Sequence, residues 1–441
     1  MHPPSAIDDD AWRQYTEMTL PDTHSHRRLM LRTVLFWIHL TAGVVAGAII
    51  AMLSVTGVLL SFEKQIAHWA DMRQLPAITN AASSRLSADS LIAIALSSSG
   101  EKRATTLTLR SNRAEPVRVD VSAERAVFLD PVTGAVLGAG SPGTHAFFEF
   151  VEHWHRWMAG EGERRKLLKS VTGVANLMFL VLVLTGMVLW LPRTWTWIRV
   201  KSGLWFRKGL RGKARDFNWH NVLGIWSALP LIAIVTTGTV IGFPWASDLV
   251  YRVVGEAPPP RTPPASVAAS PVQAGAQASA RTAADHLAPS KAALPPAEYD
   301  RRYATMLAAA LPLMPDWKTA TLQLPKPDAK VVTVTLDRGT GGQPQHRATV
   351  QLDAASGALV KYQPFDSLST GRRLRSVLRF THTGEVLGLA GQTLAGLVSL
   401  ATVVLVVTGS TLAIRRAARA IKRRRGGASG ESDAPVPVGG G

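Results

Sequence analysis

Long uncharged apolar runs alternate with polar stretches along the chain. Four runs lack Asp, Glu, Lys and Arg: 34–60, 171–191, 222–245 and 386–414. Each reaches the roughly 20 residues that an α-helix needs to cross a bilayer. Backbone polar groups must be satisfied internally in lipid, so each run is predicted to be a transmembrane helix. The pattern predicts an all-α membrane core of four helices, the first of them an uncleaved anchor.

Basic residues next to the apolar runs predict the orientation of the chain. Lys and Arg cluster before the first run, between the second and third, and after the fourth. Such clusters are typical of cytoplasmic segments, so 1–33, 192–221 and 415–441 are predicted to lie inside, with both termini. The protein is thus predicted to be a multi-pass protein of the cytoplasmic (inner) membrane. Trp190, Trp195, Trp197 and Trp205 fit an interfacial aromatic belt on the inner side.

The two long segments between the paired runs, 61–170 and 246–385, are predicted to lie outside the membrane. Each has a helical stretch followed by strand-like runs. Each then contains an Asp-x-x-[Thr/Ser]-Gly turn between two strands, at Asp130 and at Asp353. Each segment is therefore predicted to be a small α+β unit. Residues 257–297 are rich in Pro and Ala and are predicted to be a flexible linker.

A larger repeat relates the two halves of the chain. Helix, outer α+β unit and helix occur twice, and His39 with Gly43 corresponds to His220 with Gly224. A Thr-Gly pair follows each of these histidines 17 residues later, at Thr56 and Thr237. The halves cross in the same direction, so a pseudo-twofold axis is expected along the membrane normal.

Composition excludes several classes of function. The formal net charge of +18 is that of many nucleic-acid binders, but the basic residues lie beside the apolar runs as topology signals. The lipid bilayer is the expected partner of the protein, and no nucleic-acid partner is expected. The chain has no Cys, which excludes disulfides, thiolate metal sites, iron–sulfur clusters and covalently attached c-type haem.

Histidines are the candidates for chemistry, because they occur at matched depths. His39 and His220 form a predicted inner pair. His153 or His155, with His382, form a predicted outer pair. Opposed imidazoles on facing helices can supply both axial ligands of a b-type haem. A helix–helix hydrogen bond, an interfacial position or a solvated histidine is the alternative for each residue alone.

Other residues near the histidines are candidates for the same site. Gly43 and Gly224, one turn from their histidines, would let a porphyrin face approach the backbone; simple helix packing is the alternative. Arg372 and Arg379, just before His382, could hold haem propionates or attract an anionic substrate. Snorkelling of these arginines to lipid headgroups is the alternative.

Several motifs together resemble the PepSY-associated transmembrane proteins. They are the stretches 147–157, 184–193, 217–224 and 379–385, and the two outer hairpins resemble PepSY domains. The resemblance implies two tandem TM–PepSY–TM repeats: four transmembrane helices with two extracytoplasmic α+β PepSY-like domains. The family includes iron-regulated bacterial inner-membrane proteins, among them a di-haem ferric-siderophore reductase type. His155 matches the family's His-Arg-Trp position better than His153.

Two functions follow as expectations. The first is an oxidoreductase with two haem b groups, ligated by His39 and His220 and by His155 and His382. It would pass electrons from a quinol or redox protein to a ferric siderophore, since Fe(II) suits hard oxygen donors less than Fe(III). The second is a non-catalytic PepSY membrane protein that binds a peptide or partner. A transporter is disfavoured, because the four apolar runs contain no acidic residue.

Overall fold

The structure is a computed structural model that describes residues 23–78, 83–192, 195–260, 301–326 and 329–430. Most of the predicted N-terminal segment and linker, and the last part of the predicted tail, lie outside the described residues. The helices, in chain order, are α1 (Thr23–Leu60), α2 (Glu63–Gln74), α3 (Ala88–Ser99), α4 (Pro142–Trp157), α5 (Gly162–Trp190), α6 (Trp197–Leu204), α7 (Gly212–Gly242), α8 (Pro244–Val253), α9 (Arg302–Ala310), α10 (Thr370–His382) and α11 (Gly388–Gly430).

Four of these helices, α1, α5, α7 and α11, are long and apolar enough to cross a membrane. Their candidate spans contain 29 to 39 residues, with mean hydropathy of 1.7 to 2.3. Those lengths exceed the roughly 20 residues that a span needs. The four membrane helices predicted from the apolar runs are therefore confirmed.

The helix ends differ from the ends of the apolar runs. Helix α5 begins at Gly162 and α7 at Gly212, so both extend through polar residues before their runs. The third membrane helix, α7, ends at Gly242, and Pro244 is the first residue of α8 rather than part of α7. Proline suits the first turn of a helix, where its missing N–H leaves no bond unmade.

The strands form one antiparallel sheet of eight members. They are β1 (Thr106–Arg110), β2 (Val117–Asp120), β3 (Ala126–Leu129), β4 (Val136–Gly138), β5 (Thr319–Gln323), β6 (Val331–Asp337), β7 (Arg347–Asp353) and β8 (Leu359–Pro364). Their order is β4-β3-β2-β1-β5-β6-β7-β8. The sequence predicted two α+β units; the structure joins them, because β1 pairs with β5 from Thr106↔Gln323 to Arg110↔Thr319.

The two predicted Asp turns have the same geometry. Asp130 Oδ1 accepts hydrogen bonds from the backbone N–H groups of residues 132 and 133, and Asp353 Oδ1 accepts from those of residues 355 and 356. The glycine that ends each turn, Gly134 or Gly357, has φ of 72°. A side chain would be strained at that φ, which explains the glycine in both turns.

One face of the sheet holds the core of the outer segments. Alternate strand residues such as Leu107, Leu322 and Leu336 are fully buried, and α3 and α9 pack on them. The Asp89 carboxylate of α3 accepts the N–H groups of Tyr303 and Ala304 in the first turn of α9. An acceptor at a helix N-terminus satisfies donors that the helix itself cannot, so Asp89 ties the two helices together.

The chain divides into two compact units. Unit 1 contains the described parts of Met1–Ile50, Met178–Ile232 and Val404–Gly441; unit 2 contains those of Ala51–Leu177 and Ala233–Val403. Each of the four membrane helices contributes one segment to each unit. The sheet and the short helices α2, α3, α4, α8, α9 and α10 belong to unit 2.

Candidate functional site: two histidine pairs

Each unit contains one pair of facing histidines. In unit 1, the rings of His39 on α1 and His220 on α7 have centroids 6.3 Å apart at an interplanar angle of 86°. In unit 2, the rings of His155 on α4 and His382 on α10 are also 6.3 Å apart, at 57°. The structure therefore brings together the partners that the sequence predicted, while their role as ligands stays a prediction.

The unit 1 pair is held by threonines of the other two membrane helices. Nδ1 of His39 lies 3.0 Å from Oγ1 of Thr185 on α5. Nδ1 of His220 lies 3.1 Å from Oγ1 of Thr408 on α11. Both histidines are half-buried. The two rings are thus oriented by equivalent contacts.

The unit 2 pair has one threonine contact and one carbonyl contact. Nδ1 of His155 lies 2.8 Å from Oγ1 of Thr56 on α1. Nδ1 of His382 lies 2.8 Å from the carbonyl oxygen of Ile234 on α7. In the described part of the chain, no hydrogen bond reaches Nε2 of any of the four histidines. The four histidines therefore all make these contacts through Nδ1 and not through Nε2.

The unit 2 histidines are held neutral. Burial, with the neighbouring His382 and Arg156, lowers the pKa of His155 to about 3, although the Leu53 carbonyl opposes this shift. Burial also lowers the pKa of His382, against the Ile234 carbonyl. Neutral imidazole is the form that binds a metal, so both groups keep a free nitrogen lone pair at neutral pH.

His153 and His155 point to different surroundings, as expected on a helix. Nε2 of His153 lies 3.1 Å from the carbonyl oxygen of Gly160, and its ring packs edge-on against Trp157 at 5.2 Å. Residues two apart on a helix diverge by roughly 200°. The structure places His155, and not His153, opposite His382.

Gly43 and Gly224 lie against leucines. A Cβ added at Gly43 would be 3.7 Å from Leu182, and one at Gly224 would be 3.8 Å from Leu405. These are ordinary packing distances in two equivalent helix contacts. A porphyrin-facing role for these glycines stays a prediction.

Polar contacts fix the position of α10, which carries His382. The Glu256 carboxylate after α8 accepts hydrogen bonds from the Ser369 hydroxyl at 2.6 Å and the Gly371 N–H at 3.0 Å. After His382, Gly384 has φ of 75° and its backbone touches that of Gly391. No side chain fits between the two glycines, so α10 is joined to α11 by a tight turn.

A cationic pocket lies between α8 and α10. Its volume is about 600 Å³ and its lining includes Arg372, Arg375 and Arg379, with Asp248 and Tyr251. The Arg375 Nε donates to the Ser247 hydroxyl at 2.9 Å. Within the described residues, neither Arg372 nor Arg379 forms an ion pair. The structure thus brings the two predicted arginines together, with Arg375 of the same basic cluster beside them.

The residues of each pair fit the axial ligands of a haem. Two metal–nitrogen bonds of about 2.0 Å, plus about 1.1 Å from each nitrogen to its ring centre, separate bridged rings by about 6.2 Å. Both observed separations, 6.3 Å, agree with this value. In the described ranges no cluster of three or more His, Asp or Glu converges as for a bare metal ion. A haem, whose ring nitrogens supply the other ligands, would need only the two histidine nitrogens of each pair.

Sequence reasoning missed the residues that orient the rings. Thr185 and Thr408 were visible as a repeated Thr-Gly pair near the ends of the second and fourth apolar runs, and Thr56 as a member of the 17-residue repeat. The matched positions of four of the nine Thr-Gly dipeptides in the two halves of the chain were the available signal. The sequence did not show how each helix is rotated, and that rotation decides whether a threonine faces a histidine.

The fold and the paired histidines define a class of four-helix membrane protein with an added antiparallel sheet. The chain belongs to the family described as the PepSY-associated TM region, whose model matches residues 36–416. No curated protein matches the chain.

Proposed function

We propose that the protein is an inner-membrane oxidoreductase that binds two haem b groups and reduces ferric iron held by a siderophore outside the membrane. The observation that carries the proposal is the equal ring separation of 6.3 Å in two pairs on different helices. Aromatic packing alone gives centroid separations anywhere from 4.5 to 7 Å. Two equal values near that of a bis-imidazole bridge favour a shared ligand geometry.

In this proposal the basic segments and both termini lie in the cytoplasm, and the sheet, to which both PepSY-like halves contribute strands, lies outside. His39 and His220 hold the inner haem, and His155 and His382 hold the outer one. Haem iron, when bound, accepts and releases one electron at a time. A quinol or a redox protein on the inner side is the proposed donor.

The residues of this chain have separate tasks in the proposed reaction. The four histidines hold their positions through Nδ1 and offer Nε2. The cationic pocket attracts the anionic groups of the ferric chelate, since guanidinium groups pair well with carboxylates. Arg379 is one helical turn from His382, so the pocket brings the chelate near the outer pair. One electron converts Fe(III) to Fe(II), which oxygen chelators hold less tightly.

A visible spectrum tests the proposal. The purified protein, expressed with ample haem, is expected to show low-spin bands and about two haems per chain. A ferric chelate that carries anionic carboxylate groups, mixed with the protein after its reduction and the removal of excess dithionite, should release Fe(II), detected with a coloured Fe(II) chelator. A folded protein with no Soret band would overturn the proposal.

A second function is favoured by the edge of the sheet. Strand β8 is an edge strand, and its Leu359 and Val360 are 50% and 56% exposed. An exposed edge can add a strand from an extended peptide. A haem-free protein that binds peptides along β8 would be the non-catalytic PepSY protein.

A further inference from the structure

Every histidine of the two pairs packs against a Thr-Gly dipeptide of a neighbouring helix. The dipeptides start at Thr56, Thr185, Thr237 and Thr408, and the glycine of each lies beside a ring. This arrangement, called the Thr-Gly socket below, occurs twice in each unit. The recurrence on all four membrane helices needs an explanation beyond packing of any one helix.

The hydrogen bonds of the sockets assign the tautomer of three rings. The Thr56 hydroxyl donates to the Met52 carbonyl at 2.7 Å. Thr185 donates to Val181 and Thr408 to Val404, both also at 2.7 Å. Since each hydroxyl has one proton, its oxygen accepts from the histidine Nδ1–H. The proton is therefore on Nδ1, and the lone pair is on Nε2.

In the fourth socket, a backbone carbonyl rather than a threonine fixes the same tautomer of the histidine. The Thr237 hydroxyl donates to the carbonyls of Ala233 and Ile234 at 2.7 and 2.9 Å. Nδ1 of His382 lies against the Ile234 carbonyl itself, which can only accept. Thr237 therefore holds the place of a socket threonine without contacting the ring nitrogen.

The glycines set the approach of the rings. A Cβ would lie 3.2 Å from Cε1 of His39 at Gly186, 3.2 Å from Cε1 of His220 at Gly409, and 3.1 Å from Cε1 of His382 at Gly238. These distances are tighter than ordinary van der Waals contact. A side chain there would push each ring away from its hydrogen-bond acceptor.

We propose that Thr56, Thr185 and Thr408 are positioning residues that fix Nε2 as the ligating nitrogen and tune the reduction potential of the haem it binds. The inference rests on the proposed function. A hydrogen bond from the far ring nitrogen raises the basicity of a ligating imidazole. A more basic ligand favours ferric iron, so loss of the socket bond raises the potential of that haem.

The first test replaces each threonine with valine, which has the same shape and no acceptor. Redox titration of Thr185→Val or Thr408→Val is expected to show an upward shift in one haem only. Thr56→Val should shift the other haem. Haem retention during dialysis should fall about 10- to 100-fold for the affected site, as for other lost partners of ligating histidines.

Two matched variants separate positioning from packing. Thr408→Ser keeps the hydroxyl and should keep the wild-type potential. Thr402→Val removes a buried hydroxyl of α11 whose hydrogen bond goes to the Val398 carbonyl of its own helix, and should leave both potentials unchanged. A shift with Thr402→Val equal to that with Thr408→Val would overturn the proposal, as would unchanged potentials in all valine variants that retain two haems.

A second measurement does not depend on bound haem. Nitrogen-15 NMR of the histidine-labelled, haem-free protein is expected to show protonated Nδ1 and unprotonated Nε2 for the four paired residues. Protonated Nε2 in these residues would overturn the inference even if haem binds. A wild-type protein that shows this tautomer but never binds haem would overturn the proposed function and the tuning of a haem potential, and would keep only the assignment of the tautomer.

Discussion

The two histidine pairs have the same ring separation but different supports. In unit 1, both histidines and both acceptors are on the four membrane helices. In unit 2, the histidines are on α4 and α10, short helices outside the candidate spans, and the acceptors are on membrane helices. Two different sets of supporting helices therefore give the same ring separation of 6.3 Å. This points to the separation itself as the feature under constraint.

The charges near the pairs also differ. In unit 1, cations are used to join helices: the Arg32 guanidinium donates to the carbonyls of Leu189 and Leu191, and Arg415 pairs with the buried Asp216 at 3.0 Å. In unit 2, Arg372 and Arg379 line a pocket and form no ion pair within the described residues. Among these arginines of the described residues, those of unit 2 line a pocket, whereas those of unit 1 are bound within the fold.

Replacement of the paired histidines by alanine is the strongest test of this comparison. His39→Ala and His220→Ala are each expected to remove one of two haems, and His155→Ala and His382→Ala the other, because a single axial ligand holds haem weakly. Haem per chain, measured as the pyridine complex, should fall from about two to about one.

His153→Ala is the matched control for these variants. His153 lies two residues from His155, but its side chain contacts Gly160 and Trp157 and not the histidine pair. The His153→Ala protein should therefore retain both haems. Loss of the His382-bound haem in His153→Ala, with retention in His155→Ala, would reverse the assignment.

Alanine at the socket glycines should affect unit 1 more than the Thr56 socket of unit 2. A Cβ at Gly186 or Gly409 meets a histidine ring at 3.2 Å, whereas one at Gly57 is 3.8 Å from His155 and 3.3 Å from the Ser399 hydroxyl. Overpacking costs about 1–3 kcal/mol, and the small Ser399 side chain can rotate away.

Haem titration of Gly186→Ala, Gly409→Ala and Gly57→Ala measures this difference. The first two should weaken only the His39–His220 site. Equal weakening by Gly57→Ala would show that the unit 2 pair is as tightly enclosed as the unit 1 pair.

Replacement of arginines in the cationic pocket should weaken substrate binding and leave haem binding unchanged. Arg375→Gln or Arg372→Gln is expected to raise KM for an anionic ferric chelate about tenfold, since hydrogen bonds to charged groups contribute about 1.5–3 kcal/mol. The haem spectrum should not change. Steady-state reduction assays at constant ionic strength measure both quantities.

Lys361→Gln, an exposed cation on β8, is the control and should leave KM unchanged. A neutral ferric chelate should be insensitive to all three variants. Loss of the outer haem in Arg375→Gln would instead assign the pocket to propionate binding.

The smallest expected effect is on stability alone. Asp89→Ala removes the carboxylate that binds two N–H groups of α9. Such a loss costs about 0.5–2 kcal/mol, so the melting temperature in detergent should fall by a few degrees. Exposed Glu101→Ala should not change it, and neither variant should alter the haem content.

The membrane helices were predictable because their signal is local. Each apolar run is longer than a span requires, whatever it packs against. The Asp130 and Asp353 turns were equally visible, since each needs only an Asp and a Gly at fixed spacing. Such features depend on a few neighbouring residues.

The pairing of strands and the faces of helices were not predictable in the same way. Alternation marks Leu107 and Leu322 as inward-facing but does not name their partners across the sheet. The threonine that meets each histidine depends on how four helices rotate against one another. The helical period predicted that only one of His153 and His155 would face the bundle, but it did not say which. The family resemblance favoured His155, and the structure places His155 opposite His382.

The pairing of β1 with β5 has a consequence for biosynthesis. Gln323 follows its partner Thr106 by more than 200 residues, and α5 and α7 lie between them. At ribosomal rates of roughly 5–20 residues per second, β5 is made about 10–40 s after β1. During that interval the first four strands have an open edge, which is a template for aggregation. A segment or partner that covers β1 until β5 is made would protect this edge.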